Sequence, residues 1–418
     1  MERTKLEAFN HWWIKDSVDS ELALPFKRDS YQEIEFHLNK RFITALVGLR
    51  RVGKTTTMYQ LIQKLIVNTK ASNILFFSFD EMVASLGEVI ETYQDIHAKD
   101  FREEKIYIFL DEIQKCNNWE NDIKKYYDLY PKLKFIVTGS ASLFILKKTK
   151  ETLAGRIFEF TLPTFTFKEY LRFRGIDGEK MKYTTAIQPL FLNFVERGGF
   201  PETFAIESNK EFKEYLRSLI IDVIIYKDIP KTFKIEDPAF LGVLLELIAT
   251  NPGMYIDYQS LSKQFDKDRR VVKNYLIYLQ ESFLIRLLGN YRKGSITTLR
   301  KKKRAYPADN ALIYFYKQTI EEGFFGRMVE ALVVNTLPAH FFWKNGNEID
   351  IIYQGIPLEI KYQEKINSED FKPLRDFMKK FKIQESIMIT KYEERKITFD
   401  EGTLRLIPTW KWLLHQET

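Results

Sequence analysis

Lys54 and Thr55 close the run Gly48-Leu49-Arg50-Arg51-Val52-Gly53-Lys54-Thr55, a complete G-x-x-x-x-G-K-[ST] loop. A loop of this type binds nucleotide phosphates. Glycines at its two ends let the backbone bend so that successive N–H groups, helped by the positive end of the following helix, point at the phosphates. Lys54 then reaches the β- and γ-phosphates and Thr55 ligates Mg²⁺, with Thr56 next in line. The element that must hold the loop is a strand–helix junction, and both halves are legible: Phe42 to Val47 reads as a short buried strand and Thr56 to Ile62 has helical apolar spacing.

Hydrolysis needs a second, acidic element. The apolar run from Ile106 to Leu110 reads as a buried parallel strand that ends in Asp111-Glu112. Asp111 is expected in the Mg²⁺ shell, and Glu112 is expected to orient or polarise the attacking water. A further strand, Phe135-Ile136-Val137, leads to Thr138-Gly139-Ser140, where the Thr138 hydroxyl is the favoured sensor of the γ-phosphate or the water. Ile74 to Phe79 makes another core strand, with Asp80-Glu81 read as a turn. Gly155-Arg156 follows the last strand–helix unit. Arg156 is either a charge-neutralising finger for the γ-phosphate, in its own subunit or a neighbour's, or a surface arginine paired with Glu159.

The frame around these residues is a chain of 418 residues with net charge +7, a single cysteine (Cys116) and five histidines. That length predicts two to four domains, and the lone cysteine excludes an internal disulfide framework. Scattered histidines argue against a His/Cys zinc site. No apolar run reaches membrane-spanning length, and Met1 to Phe26 lacks the layout of a secretory signal, so a cytoplasmic protein without membrane contact is expected. The positive charge favours an anionic partner.

Strands alternate with helices up to Thr161-Leu162-Pro163, which predicts an α/β domain with a mostly parallel, doubly wound sheet over 1–165. Beyond it Phe167–Phe173, Ile187–Val195 and Phe212–Tyr226 have helical spacing, read as a helical lid over 166–235. Within it Gly198-Gly199-Phe200-Pro201-Glu202 reads as a tight turn. A trihelical pattern then runs over Phe240–Ala249, Tyr258–Phe265 and Asp268–Leu284, followed by Ile285-Arg286-Leu287-Leu288 and a basic stretch over 292–304. This resembles a winged helix-turn-helix over 236–305, with Arg269, Arg270, Lys273 and Asn274 on the recognition helix and Arg300 to Arg304 as a wing against DNA phosphates. Many such domains mediate protein contacts only, and that reading stays open beside DNA.

The segment 306–418 carries a second set of chemistry-bearing residues. Glu330 lies on a helix-like stretch from Gly326 to Leu337, and two strands, Asn347–Tyr353 and Ile356–Lys361, flank a Gln354-Gly355 turn. A two-residue turn sets residue 350 opposite 359, bringing Asp350, Glu359 and Lys361 to one face. With Glu330 nearby, the acids would bind a divalent metal and Lys361 would orient the hydrolytic water; the alternative is a salt-bridged sheet face.

In this order, GLRRVGKTT, FLDEIQ, IVTGSAS, LAGR and GGFPE resemble the prokaryotic AAA+-type P-loop ATPases whose C-terminal half is catalogued as a domain of unknown function. The resemblance covers nearly the whole chain. It implies ATP as the nucleotide, Lys54, Thr55, Asp111 and Glu112 as the ATPase core, and a C-terminal half similar to a winged helix followed by an α/β PD-(D/E)XK nuclease-like fold. Glu330, Asp350, Glu359 and Lys361 match its nuclease-like set, and Arg156 matches a recurrent Gly-Arg. The resulting expectation is a Mg²⁺-dependent ATPase that couples nucleotide state to a DNA-directed C-terminal half, with nuclease activity and homo-oligomerisation left open. The alternative is an ATP-dependent switch whose C-terminal domains bind a protein partner.

Overall fold

A computed structural model describes residues 1–139, 151–178, 184–233, 235–292, 303–317 and 319–415. It contains two compact units, Met1–Pro163 and Thr164–Glu417. The first is built on five strands: β1 (Ile43–Val47), β2 (Ile74–Ser78), β3 (Ile106–Asp111), β4 (Leu133–Gly139) and β5 (Ile157–Thr161). Every residue of β1 to β4 is buried, which is why these segments read as continuous apolar runs rather than alternating ones. All pairings are parallel, in the order β2-β3-β4-β1-β5. The edge strand β5 was not anticipated; three of its five residues are exposed, so no apolar run marks it. The carboxyl ends of β1, β3 and β4 lie side by side, the edge where open α/β sheets bind ligands.

In the second unit the strands are β6 (Met254–Ile256), β7 (Ile285–Asn290), β8 (Lys303–Pro307), β9 (Phe341–Asn345), β10 (Asn347–Tyr353), β11 (Ile356–Lys361), β12 (Glu385–Thr390), β13 (Arg395–Phe399) and β14 (Gly402–Pro408). They form one sheet, β13-β14-β12-β11-β10-β9-β7-β8-β6. Two expected boundaries are corrected here. The 305/306 border falls inside β8, and a parallel pair, Gly289↔Phe341 and Asn290↔Phe342, joins β7 to β9. The trihelical segment and the acid-bearing segment therefore share one sheet. The helices expected as a lid over 166–235 belong to the second unit, because Phe167, Tyr170, Phe191 and Phe194 bury their rings in one core with Tyr306, Met328 and Trp412.

Local chemistry fixes the trihelical elements. Asp237 accepts from the N–H of Phe240 with Pro238 in the first turn of the helix Pro238–Thr250. Asp257 caps Tyr258–Phe265, and Asp268 caps Arg269–Glu281. Each such cap satisfies an orphan helix donor and is worth about 1 kcal/mol. The hairpin between β10 and β11 closes as expected: Gln354 and Gly355 both have positive φ (50° and 81°), the requirement of a two-residue type I′ turn, and the register is Ile351↔Leu358.

Candidate functional site: the phosphate loop and an acid pocket

The loop 48–53 leaves the carboxyl end of β1 and enters the helix Lys54–Ile66. Gly48 has φ +152°, and a Cβ there would fall 2.3 Å from the carbonyl oxygen of Leu162, so only glycine lets β1 and the chain after β5 approach this closely. Lys54 is buried and donates to the carbonyls of Gly48 (3.2 Å) and Leu49 (2.8 Å), so its ammonium sits inside the loop. Behind the loop, the buried guanidinium of Arg28 donates to the carbonyls of Val52 (2.8 Å) and Pro163 (2.9 Å). Sequence reasoning missed Arg28, which lies in a polar stretch with no periodicity.

Asp111, at the end of β3, is the hub of the site. The hydroxyl of Thr55 donates to both its carboxylate oxygens at 3.1 Å, that of Thr138 to Oδ1 at 2.5 Å, and that of Ser78 approaches Oδ2 at 3.5 Å. Thr138 also accepts from the backbone N–H of Glu112 at 3.0 Å. One hydroxyl thus fixes both acids, a structural role beside the sensor role expected of it. Glu112 has φ +50°, a left-handed conformation uncommon for a residue with a side chain, and its Oε2 accepts from Gln114 at 2.5 Å. The acidic end of β2 is a turn in which Asp80 pairs with Lys115. Ser140 lies outside the described residues.

Burial raises the Asp111 carboxyl above the usual carboxylate range, the neighbouring Glu112 adds to this, and the hydroxyls of Thr138 and Thr55 oppose it. A folded pKa above the unfolded one favours the fold at low pH and costs stability as pH rises through it. Asp111→Asn should therefore melt higher than the parent at pH 7 without nucleotide, by about 2–4 °C per kcal/mol recovered, with the gain shrinking as pH falls towards about 4. A thermal melt series over pH checks this; a lower melting temperature at neutral pH contradicts it.

Arg156 immediately precedes β5, and its carbonyl accepts from Ile43 at the start of β1. That is the amino end of the parallel sheet, opposite the phosphate loop. Its guanidinium forms a two-pronged pair with Asp128 at 3.0 and 3.1 Å, not with Glu159. A finger role within its own subunit is thereby corrected, since the length of β1 separates it from the loop.

The second unit assembles the other set. Asp350 Oδ2 accepts from the N–H of Ile360 at 2.9 Å, and Lys361 lies 3.3 Å from Glu359 Oε1 and 3.8 Å from Asp370. Glu330, on the helix Glu322–Thr336, accepts from the hydroxyl of Tyr306 at 2.7 Å. Between Glu330 and Asp350 lies a group expected elsewhere. Arg304, assigned from sequence to the wing, is only 8% exposed; its guanidinium donates to Glu330 at 2.5 Å and Asp350 at 2.9 Å, and pairs with Glu348 at 3.4 Å. The phosphate-facing reading of Arg304 is corrected accordingly, because β8 carries this side chain into the domain. Lys301 and Lys302 lie outside the described residues, as does most of 292–304. Burial pushes the Glu330 and Glu359 carboxyls up, and the charge of Asp350 adds to both. Among the described residues no group of three or more His, Cys, Asp or Glu side chains is arranged to hold a metal ion. Of the expected metal set, Glu330 and Asp350 are thus brought together around a guanidinium, while Glu359 pairs with Lys361. Arg269, Arg270, Lys273 and Asn274 are all exposed on the helix Arg269–Glu281.

Residues 40–171 match a family model described as an AAA domain, and residues 188–320 match one described as a domain of unknown function (DUF8612). The first unit is accordingly a P-loop domain of the nucleotide-binding ATPase class. The chain is 27% identical to the uncharacterized protein MJ1544 of Methanocaldococcus jannaschii over 92% of this chain and 90% of that one. It is 26% identical to MJ1637 of the same organism, over 86% and 77%. Among solved structures, Cdc6p from Pyrobaculum aerophilum and the Aeropyrum pernix ORC1 protein in complex with DNA are each 13% identical. They cover 76% and 78% of this chain and 98% of their own, with TM-scores of 0.31 and 0.32. No helix among the described residues is long and apolar enough to cross a membrane.

Proposed function

We propose that the chain is an ATP-binding, Mg²⁺-dependent ATPase whose nucleotide state is coupled to DNA held by the second unit. The observation that carries the ATPase reading is the linkage of Thr55, Asp111, Thr138 and Glu112 beside the phosphate loop. A hydroxyl and a buried carboxylate side by side are the donor chemistry Mg²⁺ takes, so Thr55 and Asp111 would hold it, and it would neutralise charge on the phosphates. Lys54 binds the β- and γ-phosphates, the N–H groups of 48–56 cradle them, and Glu112 takes up the proton of the attacking water. Thr138 keeps Glu112 and Asp111 in fixed relation. Arg156 is left as a contact to a neighbouring subunit, which makes a homo-oligomer part of the reading.

For the second unit, three capped helices with β6, β7 and β8 in antiparallel pairing support a winged helix, and four exposed polar and basic side chains on Arg269–Glu281 support DNA as its ligand. The order helix Glu322–Thr336, β9, β10, β11, helix Lys372–Phe381, with β12 parallel to β11, supports a PD-(D/E)XK nuclease-like fold. A metal does not fit its acids while Arg304 neutralises Glu330 and Asp350, which argues against cleavage. That same feature favours the second reading, an ATP-dependent switch that binds its partner without cutting.

The deciding measurement is the ATPase rate with and without duplex, single-stranded and branched DNA. A DNA-dependent change in rate is expected; turnover indifferent to all three favours a protein partner. Binding should fall as salt rises, and Arg269→Ala/Arg270→Ala/Lys273→Ala should lower the slope of log affinity against log salt by about 0.9 per lost phosphate contact. A slope unchanged by the triple substitution assigns these side chains to a solvated face.

A further inference from the structure

Arg304 is held as a component of the acid pocket. It comes from β8, whose neighbours on the sheet are β6 and β7, and each of its three guanidinium nitrogens has a partner. Nε donates to the carbonyl of Gly253 at 3.0 Å, Nη1 faces Asp350 and Glu348, and Nη2 faces Glu330. The cradle is shaped for it: Gly253 has φ +81°, and a Cβ there would fall 2.7 Å from Nη2 and 3.2 Å from Glu330 Oε1. Tyr306, two residues on along β8, donates to the same Glu330 oxygen. Next to this cluster Glu359, its side chain only 9% exposed, has one oxygen paired with Lys361 and the other, Oε2, buried with no hydrogen-bond partner. A carboxylate oxygen left so is an acceptor to which the pocket presents neither an N–H or O–H group nor a cation.

We propose that the Arg304 guanidinium is the resident counter-ion of this pocket and excludes a divalent metal from it, so that removing the guanidinium turns Asp350, Glu330 and Glu359 into a divalent-cation site. The exclusion is direct. Asp350 Oδ1 and Glu330 Oε1, which a metal would need at about 2.0–2.5 Å, are the two atoms the guanidinium already engages. A second cation a few ångströms from the first would meet repulsion that a buried site screens poorly. Formal charge points the same way. Glu330, Glu348, Asp350, Glu359 and Asp370 face Arg304, Lys344 and Lys361, a formal excess of two negative charges when all are ionised. Without Arg304 the negative excess grows by one, which favours a cation in its place. The inference is independent of whether the second unit binds DNA and of the ATPase reading.

Mn²⁺ is the probe, titrated into the full chain without nucleotide and followed by the electron paramagnetic resonance of the free ion. Arg304→Met, which keeps the length of the stem and removes the charge, should bind one more Mn²⁺ per chain than the parent. Arg304→Met/Asp350→Asn should lose that ion again. In the parent background Asp350→Asn should leave Mn²⁺ binding unchanged, since Arg304 already excludes the metal. Stripping one partner from a buried ion pair can unfold a domain. Arg304→Met/Glu330→Gln therefore serves as the second variant, with one buried charge fewer and Asp350 and Glu359 intact; it too should gain the ion. A folded Arg304→Met or Arg304→Met/Glu330→Gln protein with the parent's Mn²⁺ stoichiometry overturns the proposal. So does a parent whose Mn²⁺ binding is lost on Asp350→Asn.

Discussion

Glu112→Gln should leave ATP bound and lower kcat by about 10²–10⁴-fold, the usual contribution of a positioned general base. The backbone of Glu112 is held by the Thr138 hydroxyl and by its own left-handed conformation, so the amide inherits the carboxylate's position and loses only its basicity. Lys54→Ala should fail differently. Its ammonium lies within 3.2 Å of two loop carbonyls, inside the phosphate cradle, and its loss removes the point charge that binds the β- and γ-phosphates. Nucleotide affinity should therefore fall along with turnover. Equilibrium binding of a fluorescent ATP analogue, measured beside steady-state phosphate release, separates the two. Parental turnover in Glu112→Gln would move the base role to another group. Unchanged affinity in Lys54→Ala would remove the loop from the site.

What the sequence made legible, and what it left hidden, follows from the range of the interactions involved. The phosphate loop is a local object, and the strand before it, the glycines within it and the helix after it lie within about two dozen residues. The hairpin register that sets Ile351 opposite Leu358, and so carries Asp350 and Glu359 beside that pair, was likewise legible, because a two-residue turn with Gly at its second position leaves little freedom. Arg304 was not. It closes a run of five consecutive basic residues, and nothing local in that run marks which side chain turns inward. Its burial is decided by Gly253, Glu330 and Asp350, each between 26 and 51 residues away. The lid failed for the same reason: helical spacing predicts the elements between 166 and 235 but is silent about which apolar face they cover, and that face belongs to Tyr306, Met328 and Trp412. Edge strand β5 fell between these cases, with too little burial to leave a pattern.

The Gly198-Gly199 pair, which the sequence marks as a turn, is expected to be among the least replaceable positions of the second unit. Asp309 is buried and accepts three hydrogen bonds: from the Thr164 hydroxyl at 2.6 Å, the N–H of Gly199 at 3.0 Å and the N–H of Ala311 at 2.7 Å. It ties the start of the unit to the glycine turn and caps the helix Asn310–Tyr316. Two glycines are needed because the chain passes so close: a Cβ on Gly198, at φ +72°, would fall 1.8 Å from Asp309 Oδ1, and one on Gly199 would fall 2.3 Å from the carbonyl oxygen of Phe165. Asp309→Ala leaves two buried backbone donors unpaired, one of them the Ala311 N–H that the helix cap satisfies, at about 1–3 kcal/mol each. Gly198→Ala adds left-handed strain of about 1–2 kcal/mol to clashes with the Asp309 carboxylate and, at 2.6 Å, with the backbone nitrogen of Ala311, so it disturbs the same hydrogen bonds by another route. Each substitution should lower the urea midpoint of the second unit's unfolding with little change in slope. The double variant should cost far less than the sum of the singles, because both break one network. Additive losses would mean that the glycines answer to Phe165 alone, and an unchanged midpoint in Gly198→Ala would reduce the motif to a surface turn.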